Sequence, residues 1–352
     1  MKKTAEFAEF ADRHLLLKAR SGRVTEQWLA VSETHLKTAV EFLGAGTLLH
    51  TIDVERIQEY ALWLAQQPVK RGKGAKRPTL SRATQRKYLN TLSNLFARAM
   101  AEGCVAPGFN PVALMMEKPT ANPQEAKWLE PHEAALILES ARTWNPKREN
   151  LALPCAHPLI GTSLLTGGRE KEILGLEVED LSFDRRTVTF RPNEHRRLKT
   201  LTSHRTVPIH PQLEGILREY VFGGRGPISG LLFPATRVPK DAKVRIEPKM
   251  ITDWRKSLDA IAQRAGWKEG EIRSKMFRHT YCAARLQTLD NGAPISVYTV
   301  AKELGHGGDA MVRRVYGHLG AIRHRSEHVE FRVEDHIKSV KGYAERVRKL
   351  AQ

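Results

Sequence analysis

The chain has only three cysteines in 352 residues, Cys104, Cys155 and Cys282, odd in number and far apart. This excludes a disulfide framework and paired Cys-x-x-Cys metal knuckles, and suits a reducing compartment. The fourteen histidines form no His-Glu-x-x-His pattern, so a structural zinc is not expected. No stretch approaches the roughly 18 apolar residues of a spanning helix, which argues against a membrane. The opening, MKKTAEFAEFADRHLLLKARSG, lacks the apolar core and small-residue cleavage site of a secretory signal. A cytoplasmic protein is expected. Internal repeats at a solenoid period are also absent.

What the chain has in excess is positive charge. Lysine and arginine total 57 against 39 acidic residues, a formal net charge of +18. Such an excess says nothing about fold, but it favours a polyanionic partner. With membranes set aside, a nucleic acid is the partner to test. The length allows two domains with cores of their own.

Residues 22–118 read as helical. VTEQWLAVSETHLKTAVEFLGAG spaces Trp28, Leu29, Leu36, Val40 and Leu43 at helical intervals and stops at Gly44 and Gly46. In TIDVERIQEYALWLAQQ, Asp53 reads as the N-cap, with Ile57, Tyr60, Ala61 and Leu64 on one face. A basic loop follows with Lys70, Arg71, Lys73, Lys76 and Arg77; Thr84 then reads as the cap of a helix striped by Tyr88, Leu92, Leu95, Phe96 and Ala99. Arg82, Arg86 and Lys87 crowd the start of that helix. A solvated charged face explains them as well as a face that tracks phosphates does. Residues 1–21 are an N-terminal extension, and 119–128, with prolines at 119 and 123, a linker. The second domain, 129–320, is mostly helical around a small sheet. DRRTVTFRPN and HRTVPIH alternate as strands through Val188, Phe190, Val207 and Ile209, flanking a basic hairpin loop with Lys199.

The residues able to do chemistry are individually bland. In LLTGGREKEILGL, Arg169 and Glu172 share a helix face. Such a pair is usually a surface salt bridge worth about 0–1 kcal/mol. KMFRHTYCAARL puts Lys275, Arg278 and His279 at the front of an apolar-backed helix, and LGHGGDAMVRRVYGHL carries His306 and, ten residues on, Tyr316. Together they are the parts needed to cut a phosphodiester without a metal. Two guanidiniums can clamp the non-bridging oxygens. A tyrosine hydroxyl can attack phosphorus, and a lysine or histidine can protonate the departing oxygen.

In order and surroundings, TGGREKEILGL, LKTLTSHRTVPI, MFRHTYCAARL, LGHGG and VYGHL resemble the tyrosine recombinase (phage integrase) family. The resemblance covers residues 129–320, and the helical unit before it looks like the family's core-binding domain. It implies a mainly α fold: an N-terminal all-helical core-binding domain plus an α+β catalytic domain with a small antiparallel sheet. It also implies roles. Arg169 and Arg278 match the two catalytic arginines, Glu172 the acid that supports the first, and Lys199 the hairpin general acid. His306 matches a phosphate donor and Tyr316 the nucleophile that becomes a 3′-phosphotyrosine. Lys70, Arg71, Lys73, Lys76, Arg77, Arg82, Arg86 and Lys87 then read as DNA contacts. A homotetramer on two DNA sites follows from the family, and the 321–352 tail, striped by Val333, Ile337, Val340, Ala344, Val347 and Ala351, reads as a helix packing in cis or on a neighbouring protomer.

One position departs. Where the family usually has a histidine, three residues before Arg278, this chain has Lys275. A lysine can donate to a phosphate, but near neutral pH it is a poor base for a tyrosine proton. His279 is offset by four residues and is not assumed to substitute. The rival tyrosines are Tyr281, Tyr298 and Tyr343; Tyr281 reads as core, and no matching motif surrounds Tyr343. The function expected is site-specific recombination by a metal- and ATP-independent enzyme, for integration or excision of a mobile element. Chromosome-dimer resolution, a type IB topoisomerase activity and a catalytically weakened DNA-binding regulator are the alternatives.

Overall fold

The computed structural model describes residues 4–69, 79–120, 126–146, 151–198, 200–235, 249–290 and 293–323. The chain divides into two compact units, 1–124 and 125–352. Mostly helical, with one small three-stranded sheet, it has the fold class expected. Among the described residues no helix is long and apolar enough to cross a membrane.

The first unit contains α1 (Phe7–Arg20), α2 (Glu26–Leu43), α3 (Val54–Gln66), α4 (Arg82–Ala101) and the single turn α5 (Pro111–Leu114). Polar caps fix where the helices begin. Thr25 accepts from the backbone N–H of Trp28, and Asp53 from that of Arg56, as expected for α3. The cap of α4 differs from the expectation. Ser81, not Thr84, accepts from the Thr84 N–H, which puts Arg82 in the first turn. Buried Leu36, Ile57, Tyr60, Leu92, Leu95 and Phe96 form the core. The stretch expected to be an extension, 1–21, contributes to that core: Phe7, Phe10 and Ala11 are buried in it on one face of α1. The boundary expected at residue 22 is therefore not a boundary in packing.

The second unit begins with α6 (Pro131–Arg142), the buried α7 (Ala156–Thr166) and the short α8 (Glu170–Leu174). An antiparallel sheet follows, β1 (Leu181–Ser182), β2 (Thr187–Phe190) and β3 (Arg205–Pro208), in the order β1-β2-β3. Val188 pairs with Val207 and Phe190 with Arg205, so the next inward residue from Val207 toward the hairpin loop is an arginine. Then come α9 (Pro211–Phe222), α10 (Arg255–Arg264), α11 (Ser274–Leu286), the two-residue strands β4 (Leu289–Asp290) and β5 (Ala293–Pro294), α12 (Val297–Glu303) and α13 (Ala310–Arg323). One core, with Leu159, Leu165, Phe190, Phe233, Phe277 and Val300 at its centre, joins them.

Candidate active site

The first arginine is held by the turn that precedes it. The φ of Gly167 is +62°, and a Cβ there would collide with the Tyr281 ring. A Cβ on Gly168 would meet Ile173 and Phe190. Only glycines let α7 end and α8 begin in so little space. Arg169 then stands at the N-cap of α8, where Glu172 accepts twice from it: 3.0 Å from the Arg169 N–H and 2.7 Å from Nη1. The guanidinium, 30% exposed in its side chain, also donates to Ser203 Oγ at 3.3 Å.

Behind this pair lies a residue that sequence reasoning missed. Arg205, inward-facing on β3 and 5% exposed in its side chain, donates from Nη2 to Glu172 Oε2 at 2.8 Å. Its Nε donates to the Glu303 carbonyl at 2.6 Å and Nη1 to the Ser203 carbonyl at 2.8 Å, with its guanidinium over the Phe190 ring. Burial pushes the Glu172 carboxyl up, but the Arg205 charge and the hydrogen bonds from Arg205 and Arg169 outweigh it, leaving Glu172 below the ordinary value. A sequence signal existed. Positions 205, 207 and 209 share the buried side of an alternating strand, and the first is an arginine.

Arg278, on α11, is fixed by main chain. Nη1 donates to the Gly167 carbonyl at 2.8 Å and Nη2 to the Leu304 carbonyl at 2.7 Å. The latter carbonyl is aimed by the left-handed turn at Gly305, φ +67°, which ends α12. Burial, with Arg169 and Arg205 close by, lowers Arg278 to about 10, so the guanidinium keeps its proton near neutral pH. Nη2 also lies 3.0 Å from His306 Nε2. A guanidinium can only donate, so Nε2 accepts and the neutral ring carries its proton on Nδ1. Burial and the charges of Arg278, Arg169 and Arg205 hold His306 to about 4. Nδ1 is buried and has no hydrogen-bond partner among the described residues.

Val312 and Tyr316, one turn apart on α13, face inward. Tyr316 is 5% exposed, lies beside the Trp128 ring, and its hydroxyl meets His279 Nδ1 in a short contact. Burial, with Cys282 adjacent, pushes its ionisation well above the ordinary range, against the pull of Arg278. A cavity of about 870 Å³ gathers Arg169, Lys275, Arg278, His306 and Tyr316 with His279 on its wall. Lys199 and the loop residues Lys70, Arg71, Lys73, Lys76 and Arg77 lie outside the described residues, as does Tyr343. The hairpin that carries position 199 is anchored at its base: Arg196 bridges the Glu172 carbonyl and the Asp180 carboxylate, each at 2.8 Å. Of the other tyrosines, Tyr281 is buried and donates to Glu303 at 2.9 Å, whereas Tyr298 is exposed under Lys302. In the first unit Arg82, Arg86 and Lys87 are exposed at the start of α4.

The family model described as phage integrase family matches residues 127–321. The chain belongs to the phage integrase, or tyrosine recombinase, family. A second family model, the phage integrase SAM-like domain, matches residues 6–111 and so takes in α1. Among solved structures, this integrase-family chain is similar to the Tn1549 transposon integrase in complex with transposon right end DNA, with a TM-score of 0.66 at 15% identity, over 98% of this chain and 100% of that one. It is similar also to a lambda integrase dimer bound to a core site, TM-score 0.60 at 15% identity over 89% of this chain and 78% of that one. A lambda integrase tetramer bound to a Holliday junction gives 0.60 at 14% identity, over 87% of this chain and 79% of that one. At such identities the likeness is one of fold. Among curated proteins nothing matches.

Proposed function

We propose that the chain is a site-specific DNA recombinase that cuts and rejoins duplex DNA through Tyr316. The observation that carries this reading is the convergence of Arg169, Arg278, His306 and Tyr316, from four separate segments, on one cavity. Arg169 and Arg278 neutralise the non-bridging oxygens and stabilise the charge that builds on phosphorus. The Nδ1–H of His306, which has no partner among the described residues, supplies a further neutral donor. Tyr316 Oη attacks phosphorus, the Oη–P bond forms and the bond from phosphorus to the 5′ oxygen breaks. Lys199 protonates that oxygen. The phosphotyrosine retains the energy of the broken linkage, so reversal by the 5′ hydroxyl of a partner strand needs no ATP. Lys275, exposed at the cavity rim, contributes positive charge toward the phosphate.

Arg82, Arg86 and Lys87, with the basic loop before them, provide backbone contacts in the first unit. The fold-related lambda integrase, solved as a tetramer on a Holliday junction, supports the further proposal that four protomers act together, on two DNA sites. Mobile-element integration or excision is the use proposed.

The test is covalent selection. The full chain is incubated with short duplexes of randomised sequence, each carrying one nick so that the small fragment beyond the cut diffuses away. Denaturant-stable adducts are recovered, and the modified residue is located by mass spectrometry. Adducts at Tyr316 that vanish in Tyr316→Phe are expected. Selected binding without any adduct would instead make the chain a DNA-binding regulator.

A further inference from the structure

With Lys275 where a histidine is usual, the cleavage step lacks an evident acceptor for the tyrosine proton. We propose that His279 is that acceptor, taking the Tyr316 proton on cleavage and returning it on rejoining. The assignment rests on Tyr316 being the nucleophile.

The geometry is direct. His279 Nδ1 meets the Tyr316 hydroxyl, with the two ring centroids 5.7 Å apart and inclined at 51°. A helix turns once in 3.6 residues, so residue 279 returns to the face that residue 275 occupies, one turn further along α11. Both line the cavity. The offset that separates them in sequence therefore keeps them at one site in space.

Other groups around the hydroxyl are poor acceptors. His306 has one lone pair in its neutral ring, and the Arg278 guanidinium uses it. The Cys282 thiol beside Tyr316 is pushed up to about 12 by burial, so it is no thiolate near neutral pH. Indole nitrogen on Trp128 donates and cannot accept. On the imidazole itself, burial and the charges of Lys275 and Arg278 lower the pKa to about 4, which keeps the ring neutral near neutral pH; with its one proton on Nε2, Nδ1 accepts from the Tyr316 hydroxyl. Tyr316 arrives from α13 as the partner, and no carboxylate is paired with His279 among the described residues. The step balances within the site. Oη–P forms as P–O5′ breaks, the Oη proton moves to Nδ1, and the 5′ oxygen takes its proton from the separate acid assigned to Lys199. Rejoining reverses each transfer.

The experiment uses the nicked duplex that the wild-type chain selects, made with either oxygen or sulfur as the bridging 5′ atom. A sulfur leaving group needs no general acid, whereas the nucleophile must still lose its proton. His279→Gln should slow single-turnover adduct formation by about 10²-fold or more on both substrates, with DNA affinity unchanged. His279→Ala should show the same loss, and imidazole in the buffer should restore part of the rate. Glutamine keeps much of the ring's volume and alanine opens room for imidazole, so a folding defect in one leaves the other readable. Adduct formation by His279→Gln at the wild-type rate overturns the assignment while leaving Tyr316 as nucleophile. So does a loss that sulfur repairs, which would place His279 on the leaving-group side, or an alanine deficit that imidazole leaves untouched. If the wild type itself forms no adduct, the nucleophile reading fails and this one fails with it.

Discussion

The two basic regions of the chain hold their charge in opposite ways. At the start of α4, Arg82, Arg86 and Lys87 stand in solvent, and no salt bridge among the described residues involves them. In the second unit Arg169, Arg205 and Arg278 converge although they repel one another. Glu172 and the carbonyls of Gly167, Ser203, Leu304 and residue 303 hold them. The exposed cations keep their hydration and freedom, and so suit a backbone of regular charge. The arginines of the second unit have lost part of their hydration and rotamer freedom during folding, so on the proposed function a charge developing between Arg169 and Arg278 would meet oriented donors without further rearrangement. On the function proposed above, the same residue type serves attraction in one unit and preorganisation in the other.

That contrast can be tested. The largest effect is expected for Arg278→Lys, which cannot reach the Gly167 and Leu304 carbonyls and His306 together. Adduct formation should fall about 10²- to 10³-fold with DNA affinity nearly unchanged. Equal losses in rate and affinity would show that the cluster acts as mere surface charge. Next, Arg205→Met should destabilise the second unit by about 3–5 kcal/mol, because it leaves the Glu172 carboxylate buried beside one guanidinium instead of two. Chemical denaturation measures this, and adding Glu172→Gln should recover part of the loss. Arg82→Ala and Lys87→Ala should each change stability by less than about 0.5 kcal/mol. Each should reduce the salt dependence of DNA binding by about one unit of log–log slope.

A further effect is one of pH. The His306 pKa falls from 6.5 to about 4 on folding, through burial and the charges of Arg278, Arg169 and Arg205. Below 6.5 the unfolded chain binds a proton that the folded chain refuses, so this contribution is complete above 6.5 and is lost as pH falls toward 4. The melting temperature should fall across that window, and less steeply in His306→Asn. An identical slope in the variant would show that His306 is not held neutral.

Local pattern made much of the second unit readable. The Arg169–Glu172 spacing and the alternation of Val188 with Phe190 and of Val207 with Ile209 each report on neighbours a few residues away. Arg205 escaped because its partners Glu172 and residue 303 lie 33 and 98 positions off in the chain. His279 escaped for another reason. Read as a string, it is four places from the expected position; read as a helix, it is on the same face. The packing of α1 into the first core was equally hidden, since Phe7 and Phe10 in a short amphipathic stretch do not say which core they join.

By itself, then, the sequence determined that this protein is basic, mainly helical, and furnished with arginines, a histidine and a tyrosine in integrase order. The charge and the helices follow from composition and from periods of two and 3.6 residues, which act over one or two turns, and the order from the resemblance of short motifs to the family's. Only the tertiary structure decided which groups meet: that Arg205 and Arg169 share one carboxylate, that Arg278 rests on two carbonyls from distant turns, and that the Tyr316 hydroxyl finds His279. Such meetings depend on how α7, α11, α12, α13 and the sheet close around one core, and no local spacing encodes that closure.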